Sequence, residues 1–179
     1  MSAPSPAQVE RPPFRIRPAE VADAAAVAEI YNQGILERAA TFETEPRSPA
    51  ELAQRIGEDP KRFPIVVAED GARLLGWASI GPYRPRACYA GVGEFSVYID
   101  RTARGRGVGR ALLAALIAEA RQRGYWKLLS RIFTFNTASL ALCRSLGFRE
   151  VGTYEKHGCL EGRWLDVVIV ERLIPENQP

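Results

Sequence analysis

Cysteine, histidine and long apolar runs are what this 179-residue chain has least of. Its three cysteines, Cys88, Cys143 and Cys159, are too few and too scattered for a disulfide framework or a Cys-x-x-Cys metal knuckle. With a single histidine, His157, a structural zinc site lacks donors, and no metal is expected. No apolar stretch approaches the roughly 20 residues of a membrane span. The first residues lack the basic-then-apolar order of a secretory signal. Charge of one sign is also scarce: 24 Lys and Arg against 21 Asp and Glu leave +3. A nucleic-acid-binding face would need a larger basic patch. The expectation is a cytoplasmic, reduced protein with neither membrane nor nucleic acid as partner. The 46% hydrophobic and 25% charged fractions are those of one ordinary globular domain, long enough to bury a core.

What positive charge there is gathers in one place. Arg101, Arg104, Arg106 and Arg110 fall within ten residues, interleaved with Gly105, Gly107 and Gly109. An alternating apolar run (Phe95, Val97, Ile99) precedes this turn, and a helical pattern (Leu112, Leu113, Leu116, Ile117, Ala120) follows it. Strand, glycine turn and helix in that order make a phosphate site. Glycine lets backbone approach a ligand, the first helical turn offers unpaired N–H groups, and guanidinium groups add charge. The cluster suits one anionic ligand. A dinucleotide fold would instead place such a turn near the start of the domain, with an acid about 20 residues on.

The rest of the chain reads as one domain. Residues 1–13, rich in proline, are expected to be a disordered arm, and 174–179 a short tail. Phe14–Arg17 is a short strand and Pro18–Leu36 a helix with Val21, Ala25, Ala28, Ile30, Tyr31 and Ile35 on its apolar stripe. Ala39–Pro49 is a loop. Ser48-Pro49-Ala50-Glu51 opens a second helix, with a capping serine and proline at the first position. Phe63–Ala68 and Leu74–Ile80 are strands joined by an Asp-Gly turn. Gly81–Tyr89 is irregular, and Gly91–Asp100 feeds the glycine turn. After the long helix come a strand (Lys127–Ile132), a helix (Asn136–Leu146) stopped by Gly147, and strands Phe148–Tyr154 and Trp164–Leu173 joined by a Gly-rich connector. Trp77 and Trp164 are expected in the core. The order β-α-α-β-β-β-α-β-α-β-β predicts an α/β domain over residues 14–173, with helices flanking a mixed, mostly antiparallel sheet.

Arg104-Gly105-Arg106-Gly107-Val108-Gly109 resembles the Q/R-x-x-G-x-G/A signature of the GNAT family of N-acetyltransferases. Asn136 to Phe148 is similar to that family's second helix motif, N-x-x-A/S-x-x-x-Y-x-x-x-G-F, with Cys143 in the place of the tyrosine. The resemblance implies acetyl-CoA as co-substrate. The amides of Arg104, Gly105, Arg106, Gly107, Val108, Gly109 and Arg110 would hold its pyrophosphate. The backbone of Val97, Tyr98 and Ile99 would pair with the pantetheine arm, and Asn136, a helix cap by its position, would touch the same arm. Segments around Tyr31, Phe42, Arg84, Glu94 and Trp164 are similar to the phosphinothricin acetyltransferase branch, and the tail looks closest to its arsinothricin-resistance members. That branch implies acetylation of the α-amine of a small amino acid with an anionic or oxidised head, in a homodimer.

The residues allow such chemistry. An α-ammonium must lose a proton before it attacks a thioester, and Glu94, on the strand before the turn, is placed to take it. The alternative is an edge carboxylate facing water. Arg84 and Arg86 are candidates for the acceptor's anions, Arg86 standing equally as a solvated loop residue. Tyr31 and Phe42 are candidates for the pocket wall or for plain packing. Cys143 reads as core, with a proton donor's role left open among Cys143, a tyrosine and water, and His157 as a solvated loop residue unless it or Glu161 reaches the substrate. Other acceptors, a protein N-terminus or a polyamine, and a non-catalytic acyl-CoA-binding regulator remain open at this level.

Overall fold

A computed structural model of the protein describes residues 14–71 and 73–178. The arm expected over residues 1–13 lies outside them. The described chain runs β1 (Arg15–Pro18), α1 (Ala24–Leu36), α2 (Pro49–Glu58), β2 (Ile65–Asp70), β3 (Arg73–Pro82), β4 (Val92–Ile99), α3 (Val108–Gln122), β5 (Lys127–Phe133), α4 (Thr137–Ser145), β6 (Arg149–Leu160) and β7 (Arg163–Leu173). This is the predicted order. One sheet takes all seven strands in the sequence β1-β2-β3-β4-β5-β7-β6. Every neighbouring pair is antiparallel except β4 and β5, which are parallel.

Strand alternation gives the sheet two apolar faces. On one, α3 and α4 press Leu112, Leu113, Leu116 and Leu140 onto Phe95, Leu128 and Val170. On the other, α1 and α2 press Val27, Ile30, Ile35, Leu52 and Ile56 onto Val67 and Trp77. Each fully buried leucine or isoleucine contributes roughly 1.5–3 kcal/mol. The capping box at α2 forms as its sequence implies: Ser48 Oγ accepts from the Glu51 amide at 3.3 Å, and Glu51 Oε2 accepts from the Ser48 amide at 2.7 Å. Gly147, at φ +78°, closes α4.

Three expectations are corrected. The first helix does not begin at Pro18. Asp23 accepts from the Glu20 amide at 2.8 Å and pairs with Arg17, which holds Val21–Asp23 in a 3-10 turn and leaves Val21 57% exposed. The Gly-rich connector after Tyr154 is strand. β6 bulges between Tyr154 and Gly158 and runs on to Leu160, with the Lys156 amide (φ +47°) donating to Asp166 at 2.7 Å. Gly158 is needed there because a Cβ would lie 2.6 Å from the Phe42 ring. Trp164 is 62% exposed, opposite Cys159 near the tip of the β6–β7 hairpin; Trp77 is fully buried as predicted.

One polar node fixes the end of β4 to α1. Asp100 accepts from Gln33 Nε2 at 3.0 Å, from the Thr102 amide at 3.0 Å and from Arg73 at 2.8 Å, while the Arg101 amide donates to Gln33 Oε1 at 2.9 Å. Burial alone would push this carboxyl up; the bonds from Gln33 and Thr102 and the Arg73 charge outweigh it and hold it at about 2. A depressed carboxyl contributes stability above its usual value of 3.8 and loses it as pH falls through about 2. Asp100→Ala is expected to lower unfolding free energy by about 1–3 kcal/mol at pH 7. In urea melts the gap to the parent protein should close between pH 4 and pH 2.

Candidate active site

The parallel pair β4–β5 is matched over three residues only: Val92 with Lys127, Gly93 with Leu128 and Glu94 with Leu129. Beyond Glu94 the strands part, because β4 stays in register with β3 to Ile99 and β5 stays in register with β7 to Phe133. A cavity of about 550 Å³ opens in the fork. The Asp100 amide bonds the Leu75 carbonyl of β3 at 2.9 Å, and antiparallel backbone groups alternate in direction. The backbones of Glu94, Ser96 and Tyr98 are therefore spent on β3, while those of Val97 and Ile99 face the fork. Tyr98 is thus corrected as a main-chain partner for a ligand. Its side chain lines the cavity instead, stacked on Trp77 at 4.9 Å and edge-on to Tyr31 at 4.7 Å.

At the outer end of the fork, Asp100 caps a 3-10 turn, Arg101–Ala103, and the glycine turn follows. Gly105 (φ +74°) and Gly107 (φ +80°) adopt the left-handed conformation that favours glycine. Among the described residues nothing accepts a hydrogen bond from the amides of Arg104 through Arg110; that of Ala111 is the first to be used, on the Gly107 carbonyl. These amides and the start of α3 form an anion cradle. The arginine side chains are engaged elsewhere. Arg104 pairs with Glu37 at 2.7 Å, Arg106 lies 3.9 Å from Asp70, and Arg110 holds the Ser145 carbonyl and hydroxyl at 3.1 and 2.8 Å. The cradle is made of backbone.

Glu94 stands at the vertex of the fork. Its side chain shares a sheet face with Ser96 and Tyr98, and with Arg131 and Phe133 of β5. Arg131 Nε donates to Glu94 Oε1 at 3.0 Å, and Nη2 donates to the same oxygen. Tyr31 from α1, Thr41, Phe42 and Glu43 from the following loop, and His157 from the β6 bulge complete the wall. Phe42 meets Phe133 edge-on at 4.8 Å. Glu43 is held by Arg47 at 2.7 and 3.0 Å, which keeps its carboxyl below the usual range. Asn136 caps α4 through the Ser139 amide at 3.1 Å and donates to the Ala39 carbonyl at 3.1 Å, so it pins that loop over the cavity. Cys143 lines the cavity with its thiol pushed up to about 12 by burial; it keeps its proton at neutral pH.

Glu94, Tyr31, Phe42, Val97 and Asn136 are therefore brought together as expected. Arg84 and Arg86 are not. Both lie exposed on the β3–β4 loop outside the cavity, with Arg84 packed over Tyr83 and Tyr89. The cavity's cation is Arg131, a residue the sequence did not single out, and His157, exposed as expected, also lines the cavity.

The family profile of the acetyltransferase (GNAT) domain matches residues 16–169. The chain belongs to the GNAT acetyltransferases. It is 38% identical over 161 residues, 87% of this chain and 92% of the relative, to the L-methionine sulfoximine/L-methionine sulfone acetyltransferase of Pseudomonas aeruginosa. The structure of a GNAT phosphinothricin acetyltransferase from Sinorhizobium meliloti in complex with acetyl-CoA superimposes with a TM-score of 0.84 at 34% identity, covering 90% of this chain and 88% of that one. A ribosomal-protein-alanine N-acetyltransferase from Brucella melitensis gives 0.86 at 38% identity, covering 89% and 99%. No helix among the described residues is long and apolar enough to cross a membrane.

In this GNAT chain the cradle depends on backbone shape. A Cβ on Gly107 would meet nothing within 4 Å, so Gly107→Ala adds strain without collision. It is expected to cost about 1–2 kcal/mol, seen as a fall in Tm of roughly 2–4 °C per kcal/mol.

Proposed function

We propose that the protein transfers the acetyl group of acetyl-CoA to the α-amine of a small amino acid with an oxidised or anionic head, and so confers resistance to it. Methionine sulfoximine, phosphinothricin and arsinothricin are acceptors of this kind. The observation that carries the reading is the position of Glu94, at the vertex between an open strand edge and a walled cavity. The cradle amides take the pyrophosphate. The fork-facing groups of Val97 and Ile99 pair with the amides of the pantetheine arm, which extends the sheet by one strand-like segment. That delivers the thioester to the vertex.

The acceptor enters as an ammonium. Glu94 takes one proton from it, directly or through a water. The freed amine attacks the thioester carbonyl, the carbon–sulfur bond breaks, and its electron pair leaves on sulfur. The nitrogen sheds a second proton as the amide forms, and the thiolate is protonated to the free thiol. Of the two carboxylates in the cavity, Glu43 is held by Arg47 from outside it, while the partner of Glu94, Arg131, itself lines the cavity.

The name of the Brucella relative, ribosomal-protein-alanine N-acetyltransferase, favours a second acceptor class, the amine of a protein or peptide. A thiol-release assay across free amino acids and short peptides separates the two, and the free amino acid is expected to be the better acceptor. We place the reaction in the cytoplasm. We also read the 12-residue edge strand β6, with Val151, Tyr154 and neighbouring Trp164 exposed, as the seat of a second copy of the chain. Trp164→Glu is expected to shift the sedimentation coefficient from dimer towards monomer.

Glu94→Gln keeps size and removes the base. Turnover is expected to fall about 10²- to 10⁴-fold, with acetyl-CoA affinity by calorimetry nearly unchanged. Undiminished turnover would remove Glu94 from the mechanism.

A further inference from the structure

We infer that Arg131 binds the α-carboxylate of the acceptor, and that this contact releases Glu94 to act as the base. The inference rests on the acetyltransferase reading above and narrows its substrate class to free α-amino acids.

The geometry of the resting pair is the starting point. Two donors of Arg131, Nε and Nη2, converge on the single oxygen Oε1 of Glu94. Among the described residues, Glu94 Oε2 and Arg131 Nη1 have no hydrogen-bond partner. A guanidinium fork that meets one oxygen uses its planar donor pair poorly; a carboxylate that offers two oxygens matches it better. Both side chains also open to the cavity, Arg131 43% and Glu94 25% exposed, so the pair is readily exchanged.

Charge and distance then select the partner. Arg131 is the only lysine or arginine among the residues that line the cavity. An α-amino acid carries an ammonium and a carboxylate on one carbon, with nitrogen and oxygen about 3 Å apart by covalent geometry. The Arg131–Glu94 pair has the same separation with the signs reversed: 3.0 Å from Nε to Oε1. A zwitterion laid across it sets its ammonium on Glu94 and its carboxylate on Arg131. The head group sits several bonds further out, so with the amine at Glu94 the α-carboxylate is the anion held nearest the same guanidinium. Once Arg131 turns to the substrate, Oε1 is free to take the ammonium proton. An amine without an adjacent carboxylate, as in a peptide N-terminus or a polyamine, leaves Arg131 on Glu94.

The test compares L-methionine sulfone with its α-carboxamide, which keeps amine and head and removes only the α-charge. The parent enzyme is expected to prefer the acid in kcat/KM by about 10- to 100-fold. In Arg131→Gln the ratio should collapse to within a few-fold, with the loss seen mainly in the KM for the acid; Arg131→Lys should give an intermediate ratio. Melting temperature reports the fold of each variant. A variant that loses activity on both acceptors in equal proportion would overturn the inference, since that is what a merely structural arginine does. Equal use of acid and carboxamide by the parent enzyme would also overturn it, without any variant, while leaving the acetyltransferase reading intact. No transfer to either acceptor would sink both.

Discussion

The structure turns on a pair of parallel strands that can stay together for three residues and no more. β4 keeps faith with β3 and β5 with β7, and the two halves of the sheet diverge from Glu94 outward. Backbone groups left open inside a fold must find partners or remain wet. Here the backbone of Val97 lines a cavity, and in our reading the interruption in the sheet becomes an edge for an extended, amide-bearing ligand. The same divergence sets Glu94 where the two halves meet, with one foot in each.

Keeping the fork open requires its outer end to be held, and that is the work of Asp100. Its bonds to Gln33, Thr102 and Arg73 tie the end of β4 to α1 and to the turn that leads into α3. Arg104 adds a second tie to Glu37 on the residue after α1. Arginines that look from sequence like phosphate ligands are thus first of all struts. The amides between them stay free because left-handed glycines and the first turn of α3 leave them no backbone acceptor.

Much of this was legible in the chain before any coordinates. The element order, the capping box at Ser48, the stop at Gly147 and the strand–glycine–helix unit are all local signals, and local signals survive folding. Glu94 was legible because it sits on that unit. Arg131 was not, although Leu129, Arg131 and Phe133 do alternate. A strand's period says which side chains share a face, but only the register of β5 on β4 says that this face is the one Glu94 uses. His157 was hidden by a bulge in β6, and Trp164 by a connector that proves to be the end of a long hairpin. Arg84 and Arg86 looked right for an anionic acceptor by residue type alone, and residue type does not say which loop faces the cavity.

The two ends of the site are built from different materials, and this bears on how such a fold changes substrate. The donor end is backbone: glycine conformations, helix start and strand edge, which side-chain substitution scarcely alters. The acceptor end, in our reading, is the cavity lined by side chains from α1, the loop after it, β4, β5 and the β6 bulge. Relatives of this chain at equal identity, 38%, bear the names of an L-methionine sulfoximine/L-methionine sulfone acetyltransferase and a ribosomal-protein-alanine N-acetyltransferase. Overall likeness therefore does not name the acceptor. The acceptor is chosen by a few side chains on one sheet face, and in our reading the choice between a free amino acid and a peptide lies with Arg131, one strand away from the base it holds.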